Sequence, residues 1–155
     1  MLGQLLMIAS GKVPPSTWEK QDLSMEEMYG VKYFKWGWQG GGLFMQFICD
    51  LFMDNRGTSL GMSSANFAWA QMVHGLKIGA PVWGWSACVA PNGKYLGMNM
   101  LIDDVVTPHA SALAVSLFPR EVVDNLRRLE TYGLRAPCRV DGAAGAFGFR
   151  ARVHW

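Results

Sequence analysis

"APVWGWSA", residues 80–87, is the stretch on which the fold class turns. Its tryptophans and valine give it the content of a strand, but no hairpin turn beside it supplies a partner. The apolar residues on both sides of it recur at helical spacing instead. The sequence therefore reads as all-α with long loops at 30–42 and 77–107, the second of which contains this segment.

Working outward, Leu43, Phe44, Phe47, Ile48, Leu51 and Phe52 draw one wide apolar stripe and predict a buried helix over 43–54. A second helix is expected over 63–76, with Ser63 or Ser64 as its cap and Gly75 and Gly79 closing it. Downstream, Thr107 is placed to cap a helix with Pro108 at its first position. The run "HASALAVSLF" is apolar almost all round, so a helix over 108–117 should be central. Pro119 begins the last helix, with Val122, Val123, Leu126 and Leu129 inward, Arg120, Glu121, Asp124, Arg127 and Arg128 outward, and Gly133 at its end. Residues 2–10 read as a further helix stopped by Gly11, before the turn-forming "VPPSTWEK".

The 155 residues suit one domain. Charged residues make up 17%, below the roughly 25% of ordinary globular chains, while seven Trp and ten Met are a heavy apolar load. Either the chain is unusually buried, or part of its surface lies against something else. A net charge of +2, with Lys and Arg scattered, argues against a nucleic-acid or anionic-lipid partner. Cys49, Cys88 and Cys138 lack the spacing of a zinc site or disulfide framework, and no phosphate loop, dinucleotide fingerprint or Ser-His-Asp order occurs. The expectation is no metal and no cofactor. "MLGQLLMIAS" lacks the charged start of a signal peptide, and no apolar run reaches the ~18 residues of a membrane span, so no membrane insertion is expected.

Trp36, Trp38, Trp83, Trp85 and Tyr95 fall in Gly-rich loop sequence outside the helical stripes. Such rings suit the apolar face of a pyranose; the competing reading is that they fill the core. Asp103 and Asp104 are adjacent, so in a partly dry cleft one would hold its proton and act as an acid; the alternative is a solvated loop pair. His109, in the first turn of its helix, suits either a hydrogen bond to a ligand hydroxyl or a local capping contact. Asp54 and Arg56 in "FMDNRG" suit a carboxylate–guanidinium pair, either structural or facing a cleft.

Taken in order, "LFMDNRGTSL", "APVWGWSACVAPNGKYLG", "DDVVTPHASALAV", "FPREVVDNLRRLETYGLRAP" and "FGFRARVHW" resemble the glycoamylase-like family of bacterial carbohydrate-active proteins, relatives of β-1,2-glucanases and of a domain of cyclic β-1,2-glucan synthases. The resemblance covers the chain from about Leu43 onward and implies that residues 1–155 are the C-terminal portion of such a domain. It implies a partial (α/α)6 toroid whose cleft wall includes residues 82–107, with Trp83, Trp85 and Tyr95 as sugar contacts and His109 beneath them. Implied too are glycoside hydrolase chemistry on a β-linked glucan, an oligo- or polysaccharide ligand and a periplasmic or secreted location. The candidate acids are Asp54 with Asp103 or Asp104, and Arg56 is a candidate substrate contact. Val89 stands where the family often has an acid, which favours the alternative of a non-catalytic carbohydrate-binding remnant; a third reading, a purely structural all-α remnant, holds only if the loop aromatics are buried. Half a ring would leave the helices at 43–54 and 108–117 with exposed apolar faces, so a missing upstream half or self-association is expected.

Overall fold

The computed structural model describes residues 2–18, 20, 23–35, 42–79, 82–86, 88–89, 95–96, 105–106, 108–132 and 139–140. It is a small mixed α/β structure, not an all-α toroid: among the described residues, five α-helices are joined by short helical turns and two-stranded β pairings.

Helix α1 (Leu2–Ala9) ends where Gly11 turns left-handed at φ 71°, and the Gln4 side chain ties it to the following turn by donating to the Thr17 carbonyl at 2.8 Å. Strands β1 (Met25–Met28) and β2 (Val31–Phe34) form an antiparallel hairpin in which Met25 opposes Phe34 and Met28 opposes Val31. Tyr29 and Gly30, with φ of 53° and 80°, supply the left-handed pair that matches a two-residue turn to strand twist.

Helix α2 (Leu43–Phe47) is one turn long and continues as a tighter turn over Ile48–Leu51. Helix α3 (Ser59–Lys77) is the long element, capped by the Thr58 hydroxyl, which accepts from the Gly61 N–H at 3.1 Å. The hairpin lies along it. Ser63 Oγ accepts from the Phe34 N–H at 2.8 Å, Asn66 Nδ2 donates to the Lys32 carbonyl at 2.7 Å, and the Tyr33 ring meets Phe67 edge-on at 4.9 Å.

Helix α4 (Pro108–Ala112), a tight turn over Leu113–Ser116, and helix α5 (Pro119–Tyr132) close the other side. Strands β3 (Cys88–Val89) and β4 (Tyr95–Leu96) pair antiparallel, while β5 (Val105–Val106) and β6 (Arg139–Val140) pair in parallel.

The segment 82–86 runs through the middle of this arrangement, and buried side-chain amides satisfy the backbone of Trp83 and Trp85 and the Gly84 N–H. Asn125 of α5 accepts from the Trp83 N–H at 2.9 Å and donates to the Trp83 carbonyl at 2.8 Å. Gln71 of α3 accepts from the Gly84 and Trp85 N–H groups at 3.0 and 2.9 Å and donates to the Trp85 carbonyl at 2.9 Å. That carbonyl also receives the Leu43 N–H, and Trp85 makes a bridge to Val106. Two amides thus stand in for a ladder, which is why an extended segment persists here without a hairpin partner. Around it Leu43, Phe47, Phe67, Val82, Trp83, Trp85, Val106, Ala110, Ala114, Val122 and Leu129 form the buried core.

Several expectations need correction. The stretch 43–54 is not one buried helix: it tightens at Ile48, and Leu51 and Phe52 are 54% and 65% exposed. The second helix begins at Ser59 instead of Ser63. Ser63 and Ser64 lie buried inside it, where the Ser64 hydroxyl donates to the Gln46 carbonyl at 2.8 Å, so neither caps it. The stretch 108–117 is helical for five residues before it tightens, and it leaves Val115 52% exposed. Loop 30–42 gives up its first residues to β2, and loop 77–107 holds β3, β4 and β5. No helix among the described residues is long and apolar enough to cross a membrane.

Candidate functional site

The tight turn between the end of α2's continuation and α3 builds the site. The Thr58 hydroxyl donates to the Asn55 carbonyl at 2.7 Å, and the Thr58 N–H donates to the same oxygen at 3.1 Å. Gly61 packs directly on that carbonyl: a Cβ there would overlap the Asn55 backbone, so only glycine lets α3 begin this close to the turn. The turn fixes Asp54, Asn55 and Arg56 in sequence, with Asp50 behind them.

Asp54 and Arg56 form a two-pronged pair. Arg56 Nε donates to Asp54 Oδ1 at 2.8 Å, its terminal nitrogen donates to Oδ2 at 2.7 Å, and the Arg56 backbone N–H adds a third bond to Oδ1 at 3.0 Å. The side-chain and backbone bonds from Arg56 hold the Asp54 carboxyl down at about 2, so it is ionised throughout the ordinary pH range. The pair is exposed to solvent.

Asp50 is the opposite case. Burial pushes its carboxyl above the ordinary 3.8; the Asn55 side chain, donating to Oδ1 at 3.0 Å, pulls it down, and the charge of Asp54 pushes it up. Its Oδ2 is sealed from water with no hydrogen-bond partner. A buried oxygen without a partner carries negative charge at a cost, which is the cause of the upward shift. Asp50, Met53, Asp54, Arg56 and Ser116 together line a pocket of about 320 Å³, with Ser116 contributed by the turn after α4.

Of the residues singled out in sequence, the structure brings Asp54 and Arg56 together in this pocket. Trp83 and Trp85 lie elsewhere, 4% and 1% exposed, in the core. The Trp85 ring meets His74 edge-on at 5.3 Å, so these rings hold the fold together and present no open face for a sugar to stack on. Asp103 and Asp104 lie outside the described residues, as do Trp36 and Trp38, and Tyr95 and His109 are described in their backbone alone. Among the described residues, no three or more His, Cys, Asp or Glu gather as metal ligands would.

Sequence reasoning passed over Asp50. The available signal was an acid inside the apolar run "QFICDLFM", where a carboxylate needs a partner or a proton. Chemically, the pocket offers one carboxyl raised by burial, one held ionised by Arg56, and that guanidinium beside it. No family model, curated protein or solved structure matches the chain.

Proposed function

We propose that this protein is carbohydrate-active, glycoside hydrolase-like, and engages a β-linked glucan at the Asp50–Asp54–Arg56 pocket. The observation that carries the reading is the pair of carboxyl groups lining one pocket, pushed in opposite directions by burial and by Arg56. In this reading Asp50, the carboxyl that burial raises, donates a proton from Oδ1, the oxygen on the Asn55 side, to the glycosidic oxygen as the bond from that oxygen to C1 breaks. Water adds at C1 and returns a proton to the Asp50 carboxylate, while ionised Asp54 faces the positive charge that develops at C1. Arg56 and Ser116 hydrogen-bond ring hydroxyls.

Binding without turnover is the second reading, and one observation favours it. Arg56 occupies both oxygens of Asp54, and a carboxyl held at about 2 is a weak base for taking a proton from water. Incubation with linear β-1,2-gluco-oligosaccharides, followed by reducing-end release and calorimetric titration, separates the two. Release abolished by Asp50→Asn supports hydrolysis, and binding weakened by Arg56→Ala with no release supports the binding module. The absence of both binding and release, on this and on other β-linked glucans, removes the carbohydrate reading.

A further inference from the structure

The charged pocket does not stand alone. Leu5 and Ile8 of α1, Trp18 after it, and Met53, Asn55 and Leu60 are among the residues lining a second cleft of about 440 Å³. That volume falls within the ~300–1,000 Å³ of small-molecule sites. Its wall is largely apolar, and Trp18 is partly open to solvent. Two residues join the clefts. Met53 lines both, and Asn55, buried and lining the apolar cleft, reaches the charged one by donating to Asp50 Oδ1. The two clefts adjoin across Met53 and Asn55, one apolar and the other carrying two carboxyls and a guanidinium.

We infer that the two clefts together take a glycoside with an apolar aglycone, the sugar at Asp50, Asp54 and Arg56 and the alkyl or aryl group against Trp18, Leu5, Ile8 and Leu60. The inference rests on the carbohydrate reading of the charged pocket. It goes further because an unsubstituted sugar hydrogen-bonds at one end but leaves the apolar wall wet, whereas an alkyl chain removes that wall from water. Trp83 and Trp85, enclosed in the core, cannot supply this contact. Among the described residues, Trp18 is the aromatic ring lining the apolar cleft, and none lines the charged one.

Calorimetric titration of the full chain with octyl β-glucoside below its micelle concentration, methyl β-glucoside and octan-1-ol tests it. Octyl glucoside should bind at least about tenfold more tightly than either other probe. Trp18→Ala should remove most of that advantage and Trp18→Phe should keep it, with circular dichroism checking that each variant is folded. Should Trp18→Ala fail to fold, Ile8→Ser carries the same expectation. Equal binding of methyl and octyl glucoside overturns the inference and leaves the carbohydrate reading standing. Equal binding of octanol and octyl glucoside shows that the sugar contributes nothing, which overturns both. An octyl preference that persists in folded Trp18→Ala and Ile8→Ser places the chain elsewhere and overturns the inference, as does the absence of binding by all three probes.

Discussion

Replacing Asn125 with alanine strikes the contact that holds Trp83 in place. Asn125 is 1% exposed, and its side chain satisfies both the N–H and the carbonyl of Trp83, at 2.9 and 2.8 Å. Alanine removes both bonds and leaves the buried N–H and carbonyl of Trp83 without this partner. Leaving a buried backbone group without its partner costs about 1–3 kcal/mol, so two such groups cost about 2–6 kcal/mol. That is a large share of the ~5–15 kcal/mol that holds a domain of this kind folded. At roughly 2–4 °C per kcal/mol for a chain of this length, Tm should fall by roughly 4–24 °C. Asn125→Asp keeps the acceptor but places a carboxylate in the core, and should also destabilise. Asp124→Ala, one residue away on the exposed face of α5, should change stability by less than about 0.5 kcal/mol. Urea unfolding monitored by tryptophan fluorescence and circular dichroism measures all three. An Asn125→Ala variant as stable as Asp124→Ala would refute the claim that side-chain amides substitute for a sheet ladder around 82–86.

Three other outcomes follow from the same geometry. Gly61→Ala forces a methyl against the Asn55 carbonyl and should destabilise by about 1–3 kcal/mol, as overpacking does, while weakening any ligand held by Asp54 and Arg56; chemical denaturation and titration read both. Asp50 binds its proton more tightly when folded than when unfolded, so its contribution to stability falls as pH rises from the unfolded 3.8 through the higher folded value. Asp50→Asn should therefore raise Tm at pH 7 and leave it nearly unchanged near pH 3; a lower Tm at pH 7 contradicts the burial argument. Met62, Trp69 and Leu76, seven residues apart on one line of α3, are 67%, 43% and 66% exposed, and Phe52 is 65% exposed, so the chain should self-associate in light scattering. Replacing Met62 and Leu76 with glutamine should reduce that association, and a monodisperse wild-type monomer contradicts it.

Much of the helical framework was legible because its signals are local. Pro119 starts α5 and the helix ends at Tyr132, just before Gly133, with Val122 and Leu129 inward as their spacing requires, although Val123 turns out to be 44% exposed. The hairpin was legible in principle, since Tyr29-Gly30 is a two-residue turn between strand-forming runs, but the loop reading of 30–42 hid it. What the sequence did not disclose is the role of Gln71 and Asn125. A polar residue in a helix looks like a solvent-facing position, and only the tertiary path of 82–86 turns these two inward. The same path decides the fate of Trp83 and Trp85, because a Gly-rich aromatic segment reads alike whether its rings line a cleft or fill a core. Asp54 and Arg56 were legible as a pair from their two-residue spacing. Asp50 was not, because burial and its bond to Asn55 arise from the fold.

The most direct test of the assigned site is a titration of isotope-labelled protein with linear β-1,2-gluco-oligosaccharides, followed by backbone and indole N–H chemical shifts. Saturable shifts should centre on Asp50, Asp54, Asn55, Arg56 and Ser116, with the buried Trp83 and Trp85 indoles essentially unmoved. Shifts centred on Trp83 and Trp85 with residues 50–56 unchanged, or no saturable shift at all, would contradict the placement of a glucan at the Asp50–Asp54–Arg56 pocket.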